Sequence, residues 1–447
     1  MSIFVPLRRR CLRAVHLVWV LCGSLLCGLL LCGLIVLPLN ALAAPSATFS
    51  LAEASRLALQ NNPQLQVFQW RLKTLDAQRQ TAALKPAYEI GLEAENLLGS
   101  DEFAGVDSAE WTLSLSSIIE LGQQRHARVG VAQSRLALAQ AEREARALDV
   151  LGELTQTFIR ALALQEKLQV AQDAVELAQS SLELIRRRVE RGAAPEAERL
   201  RAQAALTQAR LHQRALAAEL ESRKLALSTL WGAGEVDFST LAGDLYHLTQ
   251  PADFQTLFDR VADSPALQVF ASESRLRDAQ LALIRSQSGT DIQWSLGVRR
   301  FEVNGAAALT AGVSVPLAAG RRNRGEVQAA LAERQIVDYD RDVALLALHA
   351  RLFAAWQTHQ YSAAAARQMR SEVLPDLEQA LEQTQRAYAQ GRYNYADWVA
   401  AQRELLDARL ALIDAATAAL LNQALIEQLT AEPLAASASH SSLQDTP

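Results

Sequence analysis

The sequence predicts a mainly α-helical protein with a minority of β-strands, built from one unit used twice. Three observations carry this reading. Pro63 is followed by Leu65-Gln66-Val67-Phe68 and Pro265 by Leu267-Gln268-Val269-Phe270, an offset of 202; Ala202-Gln203 and Ala209-Arg210-Leu211 return as Ala401-Gln402 and Ala408-Arg409-Leu410, an offset of 199. Each copy reads short helix, strand, strand, very long helix, glycine turn, returning helix. The strands alternate apolar and polar residues, and the first long helix carries an apolar seam of period 3.5. A period near 200 residues is far beyond the roughly 20–50 residues of a solenoid repeat, so it marks a duplicated domain. The copies run from 44 to 245 and from 246 to 432.

The first 43 residues read as a secretory signal peptide. Arg8, Arg9, Arg10 and Arg13 form a basic start, residues 17–37 an apolar run, and Ala41-Leu42-Ala43 a small-residue cleavage site. An uncleaved anchor is the alternative, because the run is long enough to span a bilayer. All four cysteines (Cys11, Cys22, Cys27, Cys32) lie in this segment. The remainder therefore has none, which excludes disulfides. Leu26 and Leu31 before Cys27 and Cys32 disfavour lipoprotein processing. Beyond residue 43 there are 40 basic and 49 acidic residues, a net charge of −9. That argues against a nucleic-acid partner. No apolar run there approaches a membrane helix, so a membrane-spanning chain would have to use strands.

Residues 123–190 contain no proline and two glycines, Gly130 and Gly152. As one helix the stretch is roughly 100 Å long. Leu164, Leu168, Ala171, Val175, Ala178, Leu182, Ile185 and Val189 follow a 4,3 spacing, the pattern of a coiled coil. The seam ends at Gly192 and Pro195, stop and start signals for a reversal into a helix over 195–231. In the second copy the long arm covers 326–390, Gly391 is the turn, and the return covers 395–430. The return arms are too short to match the long ones. The helices over 64–85 and 266–288 make up the difference. Each broken helix should therefore run beside a continuous one in a helical cylinder.

Strands are expected over 88–96, 110–118, 292–298 and 309–315. Asn304-Gly305 signals a tight hairpin, and 99–107 a longer loop. One apolar and one polar face suits a membrane barrel strand and equally a soluble sheet with one buried face. Four strands cannot close a barrel, and open edges are not tolerated in lipid. Two chains give eight strands; three give twelve, which leaves a passage.

The duplication together with Leu374-Pro375, Ala387-Tyr388, Gly391, Asp397 and Ala401-Gln402-Arg403 resembles the TolC-type outer-membrane efflux factors over roughly 49–431. Gly122 and Gly320, each leading from a strand into a basic helix start (Arg125, Arg128; Arg321, Arg322), also match. The overall character resembles the branch paired with heavy-metal pumps of the RND type. The resemblance implies a homotrimer in Gram-negative outer-membrane lipid, with a twelve-stranded β-barrel and a long periplasmic coiled-coil barrel. Its tips would meet a periplasmic adaptor (a membrane fusion protein) and an inner-membrane pump.

By the same resemblance Asp397 is a periplasmic gate acid facing the lumen, with Ala400 where relatives often carry a second acid, and Glu198 is its first-copy counterpart. Asp397 read alone is an ordinary first-turn acid favoured by the helix dipole. Gly192 and Gly391 are the tip turns. Pro375, inside the second long arm where the first copy has Glu176, is a hinge, because a helix-interior proline removes a hydrogen bond.

Trp111 and Trp294 mark either aromatic girdles or ordinary sheet packing. His126, His212, His247, His349, His359 and His440 show no ligand spacing and read as scattered surface or packing residues. No catalytic motif, cofactor site or soft-metal site is visible. Residues 232–255 read as an irregular link, and 433–447 as a disordered tail. The rival reading is a soluble periplasmic coiled-coil adaptor or scaffold, which usually has one helical hairpin rather than two.

Overall fold

The computed structural model describes residues 46–289, 291–316, 321 and 323–432. The expected leader, the tail, Gly320 and Arg322 lie outside the described residues. These divide into a small unit, with residues 46–47 and 237–239, and a main unit of 48–236 and 240–432.

Chain order is β1 (Ser46–Ser50), α1 (Leu51–Asn61), α2 (Pro63–Ala82), β2 (Glu89–Glu95), β3 (Glu110–Ile119), α3 (Gln124–Glu190) and α4 (Glu196–Thr229). Then come β4 (Phe238–Ala242), α5 (Phe254–Val261), α6 (Pro265–Ser286), β5 (Ile292–Phe301), β6 (Ala307–Ser314), α7 (Arg324–Gln368), a π-helical turn (Met369–Val373), α8 (Leu374–Ala389) and α9 (Tyr395–Thr430). Local chemistry sets many of these boundaries. Ser50 and Glu53 form a capping box on α1. Asn62 accepts from the N–H groups of Gln64 and Leu65 ahead of α2, with Pro63 in the first turn.

Four expectations need correction. Residues 232–255 are not wholly irregular, because β4 pairs with β1 in a two-stranded sheet. A further short helix, α1 or α5, precedes the first helix expected in each copy. The Asn304-Gly305 reversal is a five-residue loop over 302–306 rather than a two-residue turn. In it Phe301 N–H donates to Ala306, Gly305 N–H to Phe301, and Ala306 N–H to the Asn304 side chain. Finally, α9 is long and apolar enough to pass for a membrane helix by length and composition. Its alanine-rich stretch is instead core, burying Leu405, Leu412, Ile413, Ala416, Ala419, Ile426 and Leu429.

The broken-helix arrangement is built at named contacts. Both α2 and α4 pack along α3, and Asn62 Nδ2 donates to the Leu230 carbonyl at 2.7 Å, tying the start of α2 to the end of α4. In the second copy Leu257, Val261 and Leu267 share a core with Leu352, Ala355, Ile426 and Leu429. The heptad seam of α3 meets Leu216 and Leu220 of α4 through Leu164 and Ala171. His359 is one of the packing histidines: it is buried, its Nδ1 2.8 Å from the Ala419 carbonyl and its Nε2 2.9 Å from the Thr249 carbonyl.

Candidate functional site

Two regions are the candidates for function: a four-stranded sheet and the tips of the helical hairpins. The sheet has antiparallel order β2-β3-β5-β6, with β2 and β6 leaving open edges. Strict alternation sorts its residues by face. Ile90, Leu115, Leu296 and Ala311 form one cross-strand row, and Leu92, Leu113, Val298 and Leu309 the next. These rows are not covered: Ile90 is 79% exposed and Leu309 82%. Trp111 lies on this face level with Arg300, and Trp294 on it level with Ser117. Six strand positions separate the two levels, about 20 Å at ~3.3 Å per residue. That approaches the ~25 Å apolar band between the aromatic girdles of membrane barrels.

The opposite face is small and polar, with Gly91, Ser114, Gly297 and Thr310 in one row. A Cβ on Gly297 would stand 2.7 Å from the Leu113 carbonyl oxygen, so this row admits no side chain there without a shift. Arg299 sits among acids: its guanidinium reaches Glu95 at 2.8 Å and Glu110 at 2.9 Å and donates to the Thr112 hydroxyl at 3.0 Å.

At the tips each long arm ends in a Schellman turn. Gly192 N–H donates to Val189 and Ala193 N–H to Arg188; Gly391 N–H donates to Tyr388 and Arg392 N–H to Ala387. Both glycines have positive φ, +69° and +76°, the conformation that favours glycine.

A cluster ties the two tips together. Tyr388 is 2% exposed and Trp398 1%, stacked with centroids 4.8 Å apart, against Ile185 and Ala202 of the first hairpin. The Tyr388 hydroxyl donates to Glu198 Oε2 at 2.8 Å. Arg188 lies over the Tyr388 ring, 4.6 Å from its centroid. It also donates to the Tyr388 and Ala389 carbonyls and back to Ala193. Burial first, and then the Glu198 carboxylate, pushes the Tyr388 phenol well above its usual range, so it stays a donor. Further up, Arg409 bridges Asp173 of α3 and Glu378 of α8, at 3.1 and 3.0 Å.

The acids named from the sequence part company here. Glu198 is half-buried and engaged by Tyr388; Asp397 is exposed, its backbone N–H bonded to the Asn394 side chain. Tyr388 and Arg188 were not read as functional. The available signal was a difference between copies: Arg188-Val189 precedes the first turn, Ala387-Tyr388 the second.

Pro375 stands one residue beyond the π-helical turn, with the intervening Leu374 N–H donating to Met369 five residues back. The extra residue per turn accommodates a proline that cannot donate and would crowd the preceding carbonyl. Helical φ/ψ continue through it, whereas α3 runs 67 residues without interruption. Pro375→Ala is expected to raise the melting temperature of the protein, since a donor is restored.

Among the described residues no group of three or more His, Cys, Asp or Glu side chains is placed to hold a metal ion.

Residues 54–233 match the family described as outer membrane efflux protein. The chain is 27% identical over 299 residues to the cobalt-zinc-cadmium resistance protein CzcC of Cupriavidus metallidurans, covering 67% of this chain and 72% of that one. Among solved structures, a membrane protein from Pseudomonas aeruginosa superposes with TM-score 0.72 at 16% identity, covering 85% of this chain and 90% of that one. The outer membrane protein VceC of Vibrio cholerae does so with TM-score 0.67 at 21% identity, covering 85% and 96%.

Proposed function

We propose that this chain, whose residues 54–233 match the outer membrane efflux protein family, is the passive outer-membrane duct of a tripartite efflux system, working as a homotrimer. The observation that carries the trimer is the sheet: four strands with open edges and exposed apolar rows. Backbone edges are not tolerated in lipid, and three such sheets close a twelve-stranded barrel wide enough to leave a passage. The apolar rows face lipid and the glycine-rich polar face lines the pore. The helices extend through the periplasm as two copies of one domain, 44–245 and 246–432. Their tips meet a periplasmic adaptor and an inner-membrane pump of the RND type. No step of the reading is enzymatic.

The tip cluster supports a gate. Tyr388, Arg188 and Glu198 hold the second hairpin against the first, and three such latches keep the tips together. Opening breaks them and swings the second hairpin about the turn before Pro375, with Gly192 and Gly391 as tip turns. Asp397, exposed near the second turn, gives three carboxylates around the axis. Like charges in a narrow low-dielectric mouth attract cations. Divalent metal ions are the proposed cargo, because the relative in Cupriavidus metallidurans is a cobalt-zinc-cadmium resistance protein.

Detergent-solubilised protein should have the mass of three mature chains and conduct ions in planar bilayers, and Asp397→Ala should weaken its cation preference. A conducting monomer would sink the trimer; unchanged selectivity would place Asp397 outside the lumen. The rival adaptor or scaffold should leave the membrane fraction in a high-salt wash, where a barrel stays.

A further inference from the structure

At the helix end of the sheet lies a cavity of about 520 Å³ with a divided lining, within the usual size range of ligand sites. One side continues the apolar face of the strands, through Ile119 and Trp294; the other carries Lys85, Arg125 and His126. Tyr88 packs edge-on to Trp294, centroids 6.3 Å apart. Lys85 and Arg125 are exposed and have no ion pair among the described residues. Of the acids around it, Glu120, itself in the lining, is paired with Arg128, and Asp291 accepts from the Leu121 N–H and the Gln124 side chain, while Glu89 beside Tyr88 lies on the opposite strand face from Ile90. The first turn of α3 has no acid, although a helix start favours one. A cavity that is apolar on the strand side, aromatic at the boundary and cationic on the helix side matches an anionic amphiphile.

We propose that this cavity seats the headgroup of one anionic phospholipid from the periplasmic leaflet. Lys85 and Arg125 take its phosphate, Tyr88 and Trp294 lie at the glycerol level, and the acyl chains run along the Leu115 and Leu296 row. Paired cations beside a membrane surface favour anionic headgroups, and tyrosine and tryptophan favour the interfacial level. The site rests on the barrel reading above, which sets the sheet in lipid and the helices in the periplasm.

The test uses the intact trimer in non-ionic detergent, with bound lipid counted by native mass spectrometry. Dioleoylphosphatidylglycerol, dioleoylphosphatidylcholine and inorganic phosphate are the probes. Phosphatidylglycerol should bind in preference to phosphatidylcholine of the same chains. The double variant Lys85→Gln/Arg125→Gln should bind it roughly 10- to 30-fold more weakly at low salt. The charge-keeping pair Lys85→Arg/Arg125→Lys should retain binding, which separates charge from fold. Wild-type binding by the glutamine pair, or equal binding of both lipids, would overturn the proposal. Full displacement of lipid by an equal concentration of inorganic phosphate would reassign the cavity to a free anion. The same spectra report the trimer mass, so loss of the barrel reading shows up as monomer, separately from loss of the lipid.

Discussion

Tyr388→Phe should leave the tip packed but unlatched. The ring, and with it the stack on Trp398, is kept; the hydrogen bond to the Glu198 carboxylate is lost. A hydrogen bond to a charged group is worth about 1.5–3 kcal/mol. Each latch should therefore shift from closed toward open by roughly tenfold or more, and the resting conductance of single channels should rise. Glu198→Gln keeps a neutral acceptor and should act in the same direction more weakly. The pH dependence has a definite sign. A raised phenol pKa means the folded latch favours the protonated form. Its contribution is full below the unfolded tyrosine value near ~10 and is lost as pH rises through the higher folded value. Resting conductance should then show no tyrosine-driven opening between about pH 6 and pH 9. A Tyr388→Phe channel with wild-type resting conductance would mean the contact plays no part in closure.

Leu296→Arg should abolish the membrane trimer. Leu296 lies in the middle of the exposed apolar face, in the row of Ile90, Leu115 and Ala311. An arginine at the bilayer midplane of a barrel costs about 2–4 kcal/mol, and the trimer would carry three. Ser295→Arg, one residue away on the polar face, should assemble and instead alter ion selectivity. The measurement is the amount of trimer in the outer-membrane fraction. Equal amounts from both variants would place Leu296 away from lipid.

What the sequence made legible was local. Alternation located the four sheet strands within a few residues, because a half-buried or lipid-facing strand must repeat every two positions. Caps, prolines and turn glycines bounded the helices for a similar reason: their chemistry acts over three or four residues. Pro375 signalled a disturbance but not its form, since proline can be met by a kink, a break or a π turn. The tip latch was out of reach. Tyr388 and Glu198 are 190 residues apart, and neither carries a local pattern that names its partner. The β1–β4 pairing was missed on the same ground, because short strands are fixed by tertiary context.

The seam between β3 and β5 has a consequence for how the chain comes to be folded. Ile119 pairs with Ile292 and Glu110 with Phe301, so the centre of the sheet zips together only after the chain has been made past Phe301. Until then β2 and β3 are an isolated hairpin, marginal in water, with its apolar residues bare. Tyr388 likewise arrives late, leaving Ile185 and Ala202 of the first tip uncovered. Contacts of such long sequence separation form slowly and prolong exposure to aggregation. A nascent chain of this topology is at its most vulnerable while half complete, and any factor that shields it in transit has the first hairpin as its natural target.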